Sequence, residues 1–392
     1  MRTNSLILAL SASFVSATNL WIADYGGLIT TAALSEKDGA YTLIKTGETD
    51  KCGPNPSWLT VDTNRGLMFC LNEGLATVNG SVASFTIGAD ATLNFVRNDT
   101  TINGPVHGLI YGNPAGQRGL VATHYVGSAV TTYKLLGGGA LERNQDFTFT
   151  GNGPEEQQNA PHPHEAILDP TGKYILVPDL GLDVVHVYAW DRETLALTEL
   201  ESLKVTPGTG PRHAVFWTPS GTACDTCTTY MFLVGELSAD LTGFEVKYEE
   251  GGKGLTFNNV SHALTQPDLP SNAPAEVEIT PDGRFILVSN RDVPPTDSPT
   301  PLIDSKNSSL ASFFLHEGGQ LGPLQLTTSD LIGHGYPRHF SLNKYGNLVA
   351  VGLQYTNQAI ILSRNTSSGE INPEPVAKLG VTGNVTNVVW DE

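Results

Sequence analysis

One hairpin pattern recurs along the 392-residue chain and constrains its fold more than any other feature. Each copy has a strand of alternating apolar and polar residues, a turn of the D/T-P-x-G type, and a second strand rich in β-branched and aromatic residues. The copies begin at Trp58, His107, His164, His213, Glu276 and His339. This period of about 50 to 60 residues suits a unit of four strands and is too long for the common helical repeats. The pattern predicts a chain built almost entirely from repeated antiparallel sheets.

The two ends of the chain complete one further unit. A third strand follows each hairpin, as in "VVHVYAW", and a weaker fourth precedes the next copy. The final "TNVVWDE" is typical of a first strand, and "NLWIADYGGLITTAALS" near the N-terminus is typical of a second and third. A blade shared in this way removes the open edge of the sheet. We therefore predict an all-β, seven-bladed β-propeller of four-stranded blades that occupies residues 18–392 as one domain.

Composition excludes some partners. The 41 glycines and 24 prolines suit a fold rich in turns, and the formal net charge is −18. Such an acidic chain is a poor match for nucleic acid or anionic lipid, whose phosphates attract cationic surfaces. After the N-terminal segment, no apolar run approaches the roughly 20 residues of a membrane-spanning helix.

The N-terminus has the layout of a secretory signal peptide over residues 1–17. Arg2 precedes an apolar core, and small residues follow it. A buried first strand or helix is the alternative. Export agrees with six N-x-S/T sequons, which predict N-glycans on exposed turns or faces. These sequons lie at Asn79, Asn98, Asn259, Asn307, Asn365 and Asn384. The expected location is extracellular or in the cell wall.

The four cysteines are predicted to form two local disulfides, Cys52–Cys70 and Cys224–Cys227. A zinc half-site is the alternative for Cys224 and Cys227, but no second C-x-x-C or close pair of histidines completes it. A thioredoxin-like redox motif would need a βαβ setting that this stretch lacks.

Polar residues concentrate where the predicted first strands begin. In a propeller these strands line the central channel, so residues at their starts converge at one mouth. Glu236 in "VGEL" and Arg291 in "SNRD" end second strands and are expected at the same mouth. The residues at the first strands are His107, His164, Arg212, His213, Glu276, Arg338 and His339.

The chain resembles the lactonase family of seven-bladed propellers, which includes propeller-type 6-phosphogluconolactonases and eukaryotic carboxy-cis,cis-muconate cyclases. The segments that carry the resemblance are "PHPHEAILDPTGKYILVPDLGLD", "GPRHAVF", "VGELSADLTGFEV", "APAEVEITPDGRFILVSNRD" and "YPRHFSLNKYGNLVAVGLQ". The surroundings in "HPHEAILDP" and "PRHF" look closer to the phosphogluconolactonase branch. The pattern of the cyclases in this family implies four catalytic positions, which are His164, Arg212, Glu236 and Arg291 here.

Opening or closing a lactone needs a group that moves a proton and cations that hold a carboxylate or a developing oxyanion. His164 is the natural proton carrier, and Glu236 could orient it or act as a partner acid. Arg212 and Arg291 suit an anion because the planar guanidinium binds carboxylates in a fork. The expected substrate is a small anionic lactone or carboxylate.

Six further residues are candidates for substrate binding. They are His162, His107, His213, Glu276, Arg338 and His339. The four histidines have a structural alternative: the three on first strands could be hydrogen-bonded struts between blades, and the prolines around His162 could simply stiffen a loop. His162 could also position His164.

A bound metal is a further alternative. Other lactone-cleaving propellers hold calcium in the channel, and Glu165, Glu236, Glu276 and Asn290 could supply oxygens here. The H-P-H-E cluster could also suggest zinc. Since no spacing matches a specific metal motif, we predict neither a metal nor an organic cofactor.

Two functions from different classes remain. The first is a secreted enzyme that opens a lactone, as a phosphogluconolactonase does, or closes one, as a muconate cyclase does. The second is a secreted or cell-surface glycoprotein that uses the propeller as a binding platform without turnover. A propeller fold does not decide between them, because propellers serve unrelated functions. The set of four polar residues at one mouth favours the enzyme.

Overall fold

The computed structural model describes residues 17–293 and 306–392. Residues 1–16, which hold all of the predicted signal peptide except Ala17, lie outside the described residues. Within the described ranges the backbone forms seven antiparallel sheets arranged as blades. The predicted seven-bladed β-propeller is confirmed. No helix among the described residues is long and apolar enough to cross a membrane.

Strands are numbered along the chain, and in each blade the strand nearest the channel comes first. Blade 1 contains β29 (Val385–Trp390), β1 (Ala17–Asp24), β2 (Leu28–Lys37) and β3 (Ala40–Thr49). Blade 2 contains β4 (Pro56–Asp62), β5 (Leu67–Asn72), β6 (Gly80–Ile87) and β7 (Leu93–Thr101). Blade 3 contains β8 (Pro105–Gly112), β9 (Arg118–His124), β10 (Ala129–Leu135) and β11 (Leu141–Thr148).

The other four blades follow the same order. Blade 4 contains β12 (Ile167–Leu168), β13 (Tyr174–Asp179), β14 (Val184–Trp190) and β15 (Leu197–Glu199), and β16 (Leu203–Lys204) also pairs with β14. Blade 5 contains β17 (Pro211–Trp217), β18 (Thr229–Gly235), β19 (Asp240–Tyr248) and β20 (Leu255–Leu264). Blade 6 contains β21 (Asn272–Ile279), β22 (Phe285–Asp292), β23 (Ser309–Leu315) and β24 (Leu321–Thr327). Blade 7 contains β25 (Pro337–Leu342), β26 (Leu348–Leu353), β27 (Gln358–Ser363) and β28 (Ala377–Gly380).

The second strands are apolar on both faces because each blade is packed between two others. In β13, Tyr174 and Leu176 join an apolar cluster with blade 5, whereas Ile175 and Val177 join a cluster with blade 3. Such strands are continuous hydrophobic runs rather than alternating ones. The core is therefore a set of clusters between neighbouring blades, arranged around the channel.

The ring closes as predicted through blade 1. Strand β29 pairs antiparallel with β1, and Leu20 lies opposite Trp390. Thr386 in β29 donates a hydrogen bond to the carbonyl of Ala23 at 3.2 Å and one to that of Pro56, in blade 2, at 2.8 Å. The last strand thus joins the first blade to the second.

A β-bulge recurs near the start of the inner strands. In blades 2, 3 and 7 the register shifts by one residue between a proline and the second residue after it, at Pro56/Trp58, Pro105/His107 and Pro337/His339. Blades 5 and 6 show the same shift between Pro211 and Ala214 and between Pro274 and Val277. A bulge places two residues opposite one and changes where side chains point. It therefore lets two successive residues contribute to the channel.

Both predicted disulfides are present, Cys52–Cys70 and Cys224–Cys227. The described residues also include one short helix, α1 (Asp330–Gly335), which the sequence analysis does not predict. Ser329 caps it by accepting a hydrogen bond from the Ile332 N–H. Within residues 17–293 and 306–392, four 3₁₀ turns complete the regular structure, at Ala89–Ala91, Gly137–Gly139, Glu156–Gln158 and Glu250–Gly252. Of the six sequon asparagines, all are exposed except Asn384, which is half-buried.

Candidate active site

Two layers of side chains lie across the channel at the bulges. The upper layer is formed by the first residue after each proline, together with its counterpart in blade 1, and the lower layer by the residue that follows. The upper layer contains Ser57, Val106, His164, Arg212, Arg338 and Thr386. The lower layer contains Trp58, His107, Glu165, His213, Glu276 and His339. The gap between the layers is only about 10 Å³, so they close the channel beneath its mouth.

Glu236 holds two arginines together at the mouth. The Arg212 Nε atom and an Arg291 terminal nitrogen each lie 2.9 Å from its Oε2 atom. The backbone fixes the other sides of these guanidiniums: Arg212 donates to the Ala275 carbonyl at 2.7 Å, and Arg291 Nε donates to the Ala273 carbonyl at 3.0 Å. The structure thus places Glu236 against the arginines rather than against His164.

Arg338 forms a second group on the other side of the mouth. Its guanidinium donates to the Tyr25 hydroxyl at 2.9 Å and lies 3.4 Å from Glu73 Oε1. Tyr25 also donates to Glu73, and Ser57 donates to the same carboxylate oxygen at 2.6 Å. The Tyr25 ring lies beneath the Arg338 guanidinium, 5.3 Å from ring centre to carbon, at cation–π distance. Blades 1, 2 and 7 are joined at this point.

The mouth carries an excess of positive charge. Three guanidiniums, those of Arg212, Arg291 and Arg338, face two carboxylates, those of Glu236 and Glu73. Burial alone would raise the pKa of Glu236, but Arg291 and Arg212 hold that pKa below its ordinary value. Burial, with repulsion from Arg291, lowers the pKa of Arg212 to about 10, so this arginine stays charged at neutral pH. An anion bound here would meet a net attraction in a site of low dielectric.

His164 lies in the upper layer beside the arginines. Its N–H donates to the Pro178 carbonyl at 2.9 Å, and its own carbonyl accepts from Thr123 Oγ1 at 3.1 Å, so the backbone is fixed on two sides. Its Nδ1 atom lies 3.1 Å from His213 Nε2. Burial, and then the charge of Arg212, lower the pKa of His164 well below its ordinary value. The imidazole is therefore neutral at physiological pH and can accept a proton.

The lower layer is an alternation of histidines and glutamates around Trp58. His213 Nδ1 lies 2.9 Å from Glu276 Oε1, and His339 Nε2 lies 3.3 Å from Glu276 Oε2. Burial, and then the neighbouring Glu276, raise the pKa of Glu165 well above its usual range. Burial also raises the pKa of Glu276, although His339 and Arg212 oppose that rise. Of the two carboxylates, Glu165 is the one whose pKa is raised further.

His162 lies one step away from the arginines. Its ring stacks on Tyr125 with 4.1 Å between centres and 10° between planes, and its Nδ1–H donates to the Tyr125 carbonyl at 2.8 Å. The Tyr125 ring in turn packs edge-on to His164 at 5.7 Å. His162 therefore contacts His164 through Tyr125.

The four-residue calcium site considered from the sequence is not assembled. Asn290 donates to the Thr265 carbonyl and to Ser309 inside blade 6, and Glu236 is held by two arginines. Among the described residues, one group could place ligand atoms around a single ion: Glu165, His213 and Glu276, whose atoms lie within 4.8 Å of one another.

The histidines beside that group do not suit a metal. The Nδ1 atoms of His107 and His339 accept backbone N–H groups, those of Ala166 and Val388, each at 3.3 Å. A neutral histidine in that state keeps its proton on Nε2, the atom that would have to bind the ion. Metal-binding histidines have the opposite arrangement and donate their second N–H. The lower layer therefore fits a hydrogen-bonded cluster better than a metal centre.

A larger cavity of about 540 Å³ lies on the far side of the lower layer. Leu109, Phe216 and Val277 give it apolar walls, and Glu278 lies among them. Burial raises the pKa of Glu278 to about 8. An anionic ligand would find no cation among the residues that line this cavity, so the mouth is the better site for an anion.

Several residues at the mouth are absent from the sequence-based set, notably Tyr25, Glu73 and Tyr125. Each follows the second strand of its blade directly: Tyr25 follows β1, Glu73 follows β5 and Tyr125 follows β9. Glu236 occupies the same position after β18. Alignment of the residue that follows each second strand would have identified them.

Comparison with known proteins agrees with this architecture. A family model described as "Lactonase, 7-bladed beta-propeller" matches residues 16–389. A protein of Arthroderma benhamiae, named "Probable 6-phosphogluconolactonase", is 27% identical over 384 residues, which cover 97% of this chain and 91% of that protein. The "6-phosphogluconolactonase" of Bacillus subtilis is 23% identical over 325 residues, which cover 82% of this chain and 83% of that protein.

A solved structure shares the fold at lower identity. The structure titled as a periplasmic gluconolactonase, PpgL, of Pseudomonas aeruginosa superimposes with a TM-score of 0.76 at 21% identity. The superposition covers 96% of this chain and 99% of that one. The propeller fold is therefore shared with that structure over nearly the whole chain.

Proposed function

This chain belongs to the family of seven-bladed β-propeller lactonases, and we propose that it hydrolyses a sugar lactone that carries a negative charge. Relatives along most of its length are named 6-phosphogluconolactonases, and lactone hydrolysis is the activity that they support. The proposed site is the upper layer, with His164 as the base and Arg212, Arg291 and Arg338 as the cations.

The single observation that carries this proposal is the placement of a neutral imidazole among guanidiniums. Base catalysis needs an unprotonated group near the attacking water. The cations of Arg212 and Arg338 depress the pKa of His164 in addition to its burial. The same cations would stabilise the negative charge that develops on the carbonyl oxygen. One arrangement therefore supports both requirements of lactone hydrolysis.

In the proposed reaction, His164 Nε2 takes a proton from water as the water oxygen bonds to the lactone carbonyl carbon. The carbonyl electron pair moves to oxygen, where a guanidinium stabilises it. The ring C–O bond then breaks as the carbonyl re-forms, and the leaving alkoxide takes the proton back from His164. The product is a hydroxy acid, which ionises to its carboxylate and releases one proton to solvent.

Charge at the mouth favours a phosphate or carboxylate on the substrate. Glu236 and Glu73 neutralise two of the three guanidiniums, which leaves one positive charge for a ligand. Arg338 is the most open of the three, with 17% of its side chain exposed. It is the residue we assign to the anionic group of the substrate, because an arginine fork suits phosphate and carboxylate alike.

We also propose that the protein acts outside the cell. The signal-peptide layout of residues 1–17, the two disulfides and the sequons are the features that support export. Disulfides persist in oxidising compartments and are rare in the cytosol. An exported enzyme would act on lactones in the surroundings of the cell.

The test is a pH-stat assay of acid release from 6-phosphogluconolactone, gluconolactone and muconolactone. The rate of acid release from each lactone is measured for the wild type, His164→Gln and the control His262→Gln. The control replaces a half-exposed histidine on the outer strand of blade 5. We expect the anionic sugar lactone to be preferred, a loss of about 100-fold or more in His164→Gln, and no change in the control.

Other outcomes would reject the proposal. Consumption of muconate without lactone hydrolysis, followed by ultraviolet absorbance, would assign the cyclase reaction instead. A folded, exported protein that turns over none of these compounds would favour the binding platform.

A further inference from the structure

The hydrogen-bond chain beneath His164 begins at two backbone N–H groups, whose role as donors is fixed. The N–H of Val388 donates to His339 Nδ1 at 3.3 Å, so a neutral His339 carries its proton on Nε2. That Nε2 atom lies 3.3 Å from Glu276 Oε2. The N–H of Val277 donates to Glu276 Oε1 at 3.1 Å. Glu276 Oε1 thus accepts a backbone hydrogen bond and Oε2 lies near the His339 N–H, and both contacts favour the ionised carboxylate against the opposing effect of burial.

The next step assigns the proton of His213. Its Nδ1 atom lies 2.9 Å from Glu276 Oε1, and an ionised carboxylate can only accept, so Nδ1 bears the proton. Burial, and then Arg212, lower the pKa of His213 well below its ordinary value, so the imidazole is neutral. A neutral imidazole with a proton on Nδ1 has a free electron pair on Nε2. His213 is thus an acceptor toward His164.

The last step assigns His164. Its Nδ1 atom lies 3.1 Å from His213 Nε2, so Nδ1 must be the donor and must carry the proton of the neutral ring. The Nε2 atom of His164 then has a free electron pair. No hydrogen bond joins that atom to any residue within 17–293 or 306–392, and His164 lines the gap beneath the arginines.

We propose that Glu276, His213 and His164 form a relay in which His213 is a positioning residue: it holds the proton of His164 on Nδ1 and leaves Nε2 free to accept one from water. The catalytic part of this inference rests on the proposed lactone hydrolysis, whereas the hydrogen-bond part does not. Sequence comparison of the blades gives His213 only as a possible strut or substrate contact.

The relay would also stabilise the protonated intermediate. When His164 Nε2 takes a proton, its Nδ1–H remains bonded to His213, whose own Nδ1–H remains bonded to Glu276. The carboxylate thus offsets the new positive charge through two imidazoles, as a buried carboxylate does through one in a Ser-His-Asp triad. Without it, three nearby guanidiniums would oppose protonation of His164.

The test combines NMR with kinetics. In protein labelled with ¹⁵N-histidine, two-bond ¹H–¹⁵N spectra at pH 7 report which ring nitrogen bears the proton, and His164→Gln identifies the His164 signals. We expect the Nδ1–H form in the wild type and the Nε2–H form in His213→Phe. In the same variant kcat should fall about 100-fold with KM changed less than about threefold, because the base loses its orientation but the anion site is intact.

Two further variants separate positioning from simple damage to the core. His213→Gln retains a side-chain oxygen that can accept the His164 Nδ1–H, so it should keep the tautomer and recover much of kcat. His213→Gln also tests the relay if His213→Phe does not fold. The matched control is His124→Phe, the same change at a buried histidine on the second strand of blade 3 that belongs to neither layer of the channel. It should alter neither the His164 tautomer nor kcat.

An Nε2–H form of His164 in the wild type would overturn the relay, whether or not the protein hydrolyses lactones. Full kcat in a folded His213→Phe would overturn the catalytic role of His213. If the wild type has the expected tautomer but hydrolyses no lactone, then lactone hydrolysis has failed and the hydrogen-bond relay stands. The two failures are therefore distinguishable.

Discussion

Arg212 and Arg291, from different blades, lie 2.9 Å from the same oxygen atom of Glu236. Two like charges are kept close together by one carboxylate. In a buried site such a group is costly to break, because removal of one partner leaves charge without compensation. The carboxylate of Glu236 therefore has a structural effect as well as an electrostatic one.

Replacement of that carboxylate should cost both stability and activity. We expect Glu236→Gln to lower the free energy of unfolding by about 1–3 kcal/mol, less than for a fully buried pair since 21% of the Glu236 side chain is exposed. Activity on an anionic lactone should fall about tenfold or more as the guanidiniums separate. Urea unfolding and kcat/KM measure the two effects. The control is Glu245→Gln, the same change at a more exposed glutamate in blade 5. An equal loss of stability and activity in this control would contradict the role assigned to Glu236.

The pH dependence of hydrolysis should follow His164. Burial and the charges of Arg212, His213, Arg338 and Arg291 lower its pKa, so the neutral base persists below pH 6.5. We expect kcat/KM to stay level from pH 7.5 to about 6 and to fall only at lower pH. In Arg338→Met the acid limb should move to higher pH, since one repelling charge is lost. A fall in kcat/KM of the wild type that already begins above pH 6.5 would contradict this prediction.

His124 should make the fold sensitive to acid. Burial lowers its pKa to about 4, and contacts with the backbone of Ile102 offset only part of that effect. Below pH 6.5 the unfolded chain binds the extra proton and the folded chain does not, so stability falls as the pH drops from 6.5 towards 4. The expected loss is about 2 kcal/mol between pH 7 and pH 5. In urea unfolding at pH 7 and pH 5, the loss of stability should be smaller in His124→Phe than in the wild type by this amount. An equal loss in the two proteins would contradict the prediction.

The two disulfides should differ in their contribution to stability. Cys52–Cys70 closes a loop with a sequence separation of 18, and both cysteines lie in the cluster between blades 1 and 2. Its removal by Cys52→Ala with Cys70→Ala should cost about 3 kcal/mol. Cys224–Cys227, with a separation of 3, closes a much shorter loop, so Cys224→Ser with Cys227→Ser should cost less. Equal losses in urea unfolding would count against the loop-entropy explanation.

Much of the fold could be predicted because each blade repeats the same physical requirement. Second strands contain a run that is apolar on both faces, such as "FILV" at the start of β22, and this makes them visible in the sequence. The strands at the two ends of the chain are recognisable as parts of one blade, because the C-terminal end supplies only a first strand and the N-terminal end supplies the second and third. The short helix α1 is not recognisable, since six residues are too few to show a helical period.

The inner strand of blade 4 is shorter than its sequence suggests. "HEAILDP" predicts a full strand, yet β12 contains only Ile167 and Leu168. Pairing with β13 nevertheless begins earlier, because Pro163 forms an isolated bridge with Asp179 and the His164 N–H donates to the Pro178 carbonyl. Glu165 and Ala166 separate this bridge from β12.

The residues of the mouth were accessible from sequence, but their partners were not. The starts of the inner strands converge in any propeller, so the sequence alone predicts His164, Arg212 and Arg338 at one end of the channel. The bulge that brings the following residue into the channel depends on register, which a single strand does not reveal. Contacts such as that between Tyr25 and Arg338 join opposite ends of the chain and follow only from the closed ring.

Ring closure by β29 also sets the order of events during synthesis. The inner strand of blade 1 consists of Val385–Trp390, so it leaves the ribosome after all the other blades. Until then β1 has no partner on its inner side, and Thr386 cannot yet bond to Ala23 and Pro56. The complete ring can therefore form only once β29 has been made, later than every other strand of the propeller.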